Sequence, residues 1–213
     1  MVEPPAEEDV DAHVAAMVEA AFETKSAIAE LTREYFEDAA SGETIQRVLD
    51  QRWAERLQRQ QKWSGDGDYA RLSAAFEDLS GRGIVARMNF TCCQSCGHAE
   101  IVDEKTTGEE RGYVFFHQQD SERLADRPAV LFLAYGSFSA LGDFTAERSP
   151  DLWALADGGD QEARRQIVLG SEEVVAGEVV EALRRQGVQV QWVPGQGQRI
   201  AVNVTEWDKP LPV

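Results

Sequence analysis

The chain has 213 residues, 38 acidic against 21 basic, for a formal net charge of −17. That length suits one large domain, or one domain with a helical extension, and 43% hydrophobic residues with five tryptophans supply a core. The negative charge argues against a nucleic-acid partner, whose phosphates need basic patches, and no run of about 18 apolar residues offers a membrane span.

Residues 1–9 hold four acids and the pair Pro4-Pro5, which reads as a disordered acidic tail without a signal-peptide pattern. A helical region then begins. Val10, Val14, Met17, Val18, Ala21 and Phe22 recur at helical spacing, and Ile28, Leu31, Tyr35 and Phe36 continue the pattern until Ser41-Gly42 stops it. From about Thr44 a second helix presents Ile45, Leu49, Trp53 and Leu57, four residues apart, as one apolar stripe. Ser64-Gly-Asp-Gly67 is a turn. A third helix carries Tyr69, Leu72, Ala75, Phe76 and Leu79 and ends at Gly81-Arg-Gly83. Residues 10–66 thus read as a helical extension and 67–205 as the main domain.

The period then changes. Ile84–Phe90 reads as a strand. The cysteine-bearing segment after it opens a helix to about Glu104, and 105–112 form a loop. Tyr113–His117 is a second strand, dense in aromatic and β-branched residues. Asp120 or Ser121 is placed to cap a short helix through Leu124. Pro128 precedes the fully apolar run Ala129–Tyr135, stopped by Gly136, a pattern that belongs inside a sheet. Residues 137–170 show only a short helix around 161–168, and a stretch of that length carries structure of its own or covers a site. Ser171 reads as the cap of a further helix, with Glu172 and Glu173 in its first turn and Gly187 at its end. Val188–Val193 and Arg199–Val204 flank Pro194-Gly-Gln-Gly197 as a β-hairpin. The tail from 206 onward, with two prolines, reads as loose. These elements predict an α+β fold: a mixed sheet of about five strands with helices packed on it. The strand–helix–strand units run parallel and the closing hairpin antiparallel.

The chemistry concentrates at one place. All three cysteines, Cys92, Cys93 and Cys96, fall within five positions, and His98 follows two residues later. An odd, tightly spaced set is a poor disulfide framework and fits a reducing cytoplasm. If the first two strands are parallel, Phe90 and His117 mark ends that share one sheet edge. His117 then comes near the thiols, at the edge where ligands of α/β sheets bind.

Four readings of this edge compete. Cys93-Gln-Ser-Cys96, after a strand and at a helix start, has the layout of a thioredoxin-like dithiol, with Cys93 attacking and Cys96 resolving, although no tryptophan precedes it. Cys93, Cys96, His98 and His117 offer two sulfurs and two nitrogens for tetrahedral zinc. Cys92 is a substitute ligand, because adjacent cysteines do not both point inward from a regular element. The cysteines are otherwise small buried hydrophobes, with Gly97 allowing a close approach. A nucleophile, Cys93 or Cys96, with His117 as base and Asp120 as orienter, is the fourth. His13 reads as a surface residue.

The segment Asn89-Phe-Thr-Cys-Cys-Gln-Ser-Cys-Gly-His-Ala-Glu-Ile101, followed by Gly112-Tyr-Val-Phe-Phe-His-Gln-Gln-Asp120, resembles a family of uncharacterised bacterial proteins with a Cys-Cys-x-x-Cys-Gly signature. The resemblance covers about residues 67–205. It implies a discrete bacterial, cytoplasmic domain and brings no catalytic assignment; the cysteines and His117 match its recurring residues. The working expectation is a thiol-centred site of Cys93, Cys96 and His117, supported by His98 and Asp120, acting as a redox dithiol or a zinc site. The alternative is a non-enzymatic acidic interaction protein, of inhibitor or immunity type, whose charge docks a basic protein partner.

Overall fold

The computed structural model describes residues 5–65 and 67–212. Residues 1–4 of the expected tail and Asp66 of the expected turn lie outside them. The chain divides into two compact units, each built from separated segments.

The first unit comprises the described residues of Met1–Ala70, Gln119–Ala129 and Val204–Val213. Its helices are α1 (Glu7–Ala20), α2 (Lys25–Tyr35) and α3 (Gly42–Gln60). Glu7, Glu8 and Asp9 form the first turn of α1, where carboxylates face unpaired N–H groups. The single helical region expected from periodicity breaks at Ala21. That residue sits in the left-handed region (φ 59°), fully buried, with its N–H on Met17 O at 3.0 Å. Packing holds there a conformation that alanine otherwise avoids. The hydroxyl of Thr24 caps α2, accepting from Ala27 N at 3.2 Å. Ser41 caps α3, accepting from Thr44 N at 3.0 Å, so Ser41-Gly42 is a helix start as well as a stop.

The apolar faces of α1, α2 and α3 meet in a core of Val10, Val14, Val18, Ile28, Ile45 and Leu49. Leu57, the last position of the α3 stripe, is exposed. The C-terminal tail is not loose. Trp207 is fully buried, donates Nε1–H to Ala20 O at 3.0 Å and packs edge-on against Tyr69, while Leu211 joins the core. Its prolines preclude a helix there, but the apolar side chains still find burial. His13 is half-buried and stacked on Tyr35 at 4.1 Å rather than lying free on the surface. Asp120 and Ser121, expected to cap a helix through Leu124, both lie inside α6 (Gln118–Ser121), which runs into a 3-10 turn, Glu122–Ala125, packed on α1; the Ser121 side chain makes no cap bond to that turn.

The second unit comprises Arg71–Gln118 and Val130–Asn203. Its strands are β1 (Ile84–Arg87), β2 (Gly112–Phe115), β3 (Ala129–Ser137), β4 (Val190–Gln191) and β5 (Ile200–Val204). They form one mixed five-stranded sheet in the order β1-β2-β3-β5-β4. β1 and β2 pair parallel, Ile84 opposite Gly112; β2 and β3 pair antiparallel, Gly112 opposite Ser137; β4 and β5 close the expected hairpin. The apolar β3 lies inside the sheet, as its composition predicts. It continues through Gly136, where the ring of Tyr113 leaves no room for a side chain: a Cβ on Gly136 would fall 2.4 Å from Tyr113 Cζ.

α4 (Asp68–Gly81) leads into β1. The unread stretch 137–170 holds a 3-10 turn, α7 (Pro150–Asp157) and the start of α8 (Gln161–Arg185). One long α8 thus replaces the two helices expected around 161–168 and from Ser171. Asp160 is its cap, accepting from Glu162 N at 2.9 Å and Ala163 N at 3.1 Å. Ser171 lies mid-helix, where its hydroxyl donates to Ile167 O at 2.6 Å and accepts from Leu141 N at 3.0 Å. A hydroxyl satisfied inside a helix looks like a cap from sequence alone. Among the described residues no helix is long and apolar enough to cross a membrane.

Candidate thiol site

Parallel pairing does bring the ends of β1 and β2 to one edge, and it persists beyond the regular strands. Phe116 N donates to Arg87 O at 3.3 Å, Phe90 N to Phe116 O at 2.9 Å, and Gln118 N to Thr91 O at 3.1 Å. His117 therefore lies, along the backbone, beside the residue that precedes the cysteines. Between Arg87 and Cys93 the chain turns sharply: Asn89 (φ 50°) and Thr91 (φ 58°) are both left-handed. Asparagine tolerates this; a β-branched threonine does not do so readily, and strain of this kind gathers at functional sites. Thr91 Oγ1 donates to Cys93 O at 3.1 Å and steadies the turn.

The turn answers the objection to adjacent cysteines. Cys92 and Cys93 precede α5 (Gln94–Glu100) in irregular backbone, with Cys93 as the N-cap residue. Cys96 comes round from the first turn of that helix. The three sulfurs lie within 4.8 Å of one another, with Cys92 Sγ and Cys96 Sγ at 3.6 Å. All three thiols are free; Cys92 is exposed and the other two half-buried. α5 rests on β2 through Gly97, where a Cβ would fall 2.3 Å from Phe115 Cε2. The glycine is thus a close-approach residue, as its position suggested.

The thiols share their protons unequally. The backbone N–H of Cys96, then the thiols of Cys96 and Cys92, hold Cys93 below the ordinary thiol range. Cys96 is pushed up to about 11 by its bonds to Cys92 and Cys93 and by their charge. The cluster thus favours a single thiolate on Cys93 that its neighbours solvate.

The histidines are engaged elsewhere. His98 Nε2 lies 3.3 Å from the Gln94 amide nitrogen and Nδ1 2.9 Å from the Tyr113 hydroxyl; its ring stands edge-on to Phe115. Burial lowers its pKa, which keeps the imidazole neutral. Burial, with the charge of Glu172, pushes Tyr113 up to about 12, so its hydroxyl stays protonated. His117 is buried, with Nε2 3.4 Å from Arg199 Nη1. Asp120 belongs to the first unit, buried in α6. The structure thus gathers Cys92, Cys93 and Cys96, sets the His117 backbone alongside, and gives both histidine side chains other partners. Sequence reading did not select Tyr113, Glu172 or Arg199. Tyr113 read as a strand aromatic, Glu172 as a helix-start acid and Arg199 as a hairpin residue, and none of those patterns marks a site.

Residues 3–211 match the family model described as a domain of unknown function (DUF6891). The chain belongs to that family. The match takes in the N-terminal helices, which the motif resemblance over 67–205 left out. Among curated proteins and solved structures, none matches the chain.

Proposed function

We propose that Cys92, Cys93 and Cys96 hold a soft metal ion, zinc first among candidates, with a fourth position open to water or an exogenous ligand. The observation that carries this is the gathering of three sulfurs within 4.8 Å. Zinc–sulfur bonds of about 2.3 Å make the edge of a tetrahedral sulfur set about 3.8 Å. Cys92 and Cys96, at 3.6 Å, meet that spacing, and the remaining separations need to close by about 1 Å at most. Three protein ligands and an exposed rim are the pattern of a site that keeps a position for chemistry rather than a closed structural site. Binding displaces the thiol protons, Cys96's included, so occupancy falls as pH falls. Metal analysis of untagged protein purified without chelator tests this. About one zinc per chain, lost in Cys92→Ser, supports the three-sulfur set. Metal kept in Cys92→Ser but lost in His98→Ala and His117→Ala replaces it with the set Cys93, Cys96, His98 and His117.

A second reading has its own observation, the opposite displacement of the Cys93 and Cys96 pKa values. As a dithiol, the Cys93 thiolate attacks a substrate disulfide and expels one of its sulfurs as a thiolate. Cys96, losing its proton, then displaces the second sulfur and closes a Cys93–Cys96 disulfide. The protein pair gives two electrons and the substrate disulfide takes them. Iodoacetamide labelling of metal-free protein near pH 7 checks this reading: fast modification confined to Cys93 supports it, and three equally slow cysteines refute it.

A further inference from the structure

The three sulfurs are close together but are not held alike. Cys96 is fixed by its helix, since it lies in the first turn of α5 and α5 is seated on β2 through Gly97 and Phe115. Cys93 is fixed by its backbone: it is the N-cap residue, and its carbonyl accepts from Gly97 N at 3.0 Å and from Thr91 Oγ1 at 3.1 Å. Cys92 lies outside the helix, directly after the left-handed Thr91, and is the exposed member of the three. Its Sγ stands 3.6 Å from Cys96 Sγ. A disulfide of about 2.05 Å asks that pair to approach by about 1.5 Å, within reach of a side-chain rotation. Cys92 and Cys93 are a poor pair, because adjacent Cα atoms lie about 3.8 Å apart and disulfides need roughly 4.4–6.8 Å.

We infer that the cluster is a hydroperoxide-responsive metal switch: a hydroperoxide joins Cys92 to Cys96 as a disulfide, and the metal ion leaves. The inference rests on the metal reading above and adds what regulates that site. The Cys92 sulfur attacks the outer peroxide oxygen, the O–O bond breaks, and an alcohol (water, from hydrogen peroxide) departs, leaving a sulfenic acid. The Cys96 sulfur then attacks the Cys92 sulfur, the S–O bond breaks, and water departs. The two sulfurs give two electrons, the peroxide takes them, and solvent supplies the protons. The chain has three cysteines, all in this cluster, so the disulfide leaves Cys93 as the one remaining thiol ligand. A single sulfur is too few for a zinc site, which takes three or four protein ligands. A dithiol reductant reverses the step by returning two electrons.

Zinc-loaded full chain, freed of excess metal, tests the inference. Its zinc is measured first; hydrogen peroxide is then added and released zinc is read with a colorimetric chelator. Free thiols are blocked with iodoacetamide, the protein is reduced, and the newly exposed thiols are labelled with N-ethylmaleimide and located by tandem mass spectrometry. About one zinc per chain should be released. Maleimide should mark Cys92 and Cys96, with acetamide on Cys93, and dithiothreitol with added zinc should restore the metal content. Zinc retained against peroxide overturns the inference and leaves the metal reading standing; a chain that holds no zinc at the outset overturns both. Maleimide on Cys93 and Cys96 overturns the assigned pair in favour of the dithiol reading. Glutathione disulfide releasing zinc as fast as peroxide overturns the assigned oxidant.

Discussion

Two glutamates show how differently the two units treat a carboxylate removed from water. Glu19, in the first unit, receives Arg127 at 2.8 Å, Arg56 at 3.5 Å and a close bond from Arg59. Burial alone would raise its pKa; the bonds from Arg59 and Arg127 and the charge of Arg56 outweigh that and hold it low. Arg56, only 2% exposed, also donates to Trp207 O at 2.8 Å and lies over Trp63. One carboxylate there serves three arginines of the same unit. Glu172, in the second unit, has no ion pair among the described residues, and burial raises its pKa unopposed. The first pattern is that of a structural ion cluster. The second is a carboxylate at the protein surface whose charge only solvent compensates.

The largest contrast should appear on removing each group. Glu19→Ala strands three arginines, one of them fully buried, and should cost about 3–5 kcal/mol in chemical denaturation. Glu172→Gln removes an uncompensated charge and should change stability by no more than about 0.5 kcal/mol, in the stabilising direction. Equal losses for the two would erase the distinction between them.

Acid titration sharpens the same comparison. Glu19 titrates lower in the folded protein than in the unfolded chain. Its contribution is therefore complete above the unfolded value of 4.5 and is lost as pH falls through the lower, folded value. Glu172 has the opposite sign: its folded pKa is raised, so its contribution is present at low pH and is lost as pH rises through that value. Denaturant midpoints of wild type and Glu19→Ala from pH 7 down to 3 should therefore converge towards the acid end. Parallel curves would show that Glu19 is not held low.

Smaller effects concern the frame of the sulfur site. Gly97→Ala drives a methyl into Phe115 and should cost about 1–3 kcal/mol, while reducing metal retention through displacement of α5. A variant with wild-type stability and full metal content would separate the seat of α5 from the geometry of the sulfurs. Asp160→Ala, which removes only the cap of α8, should cost about 1 kcal/mol and leave the metal content unchanged.

The difference between local and distant partners also decides what could be read from the chain. Hydrophobic period identified α3, α4 and the buried β3, because the 3.6- and 2-residue repeats are properties of the backbone itself. Cap preference misread Ser171, because a polar side chain is drawn the same way in sequence whether it caps a helix or bonds within one. Trp207 read as loose because two prolines follow it, and residues far along the chain, Ala20 and Tyr69 among them, supply its place.

The amino-acid sequence by itself determined that this is an α+β protein and that its sulfur chemistry, if any, lies between Cys92 and Cys96, since spacing along the chain bounds how far apart those groups can be. Tertiary structure alone decided that Cys92 joins the other two. That outcome needs the left-handed turn at Asn89 and Thr91, the parallel pairing of β1 with β2, and Gly97 seated on Phe115. It also decided that His98 turns to Tyr113. Each of these is a choice among partners remote in sequence, settled by which packing leaves the fewest polar groups unsatisfied.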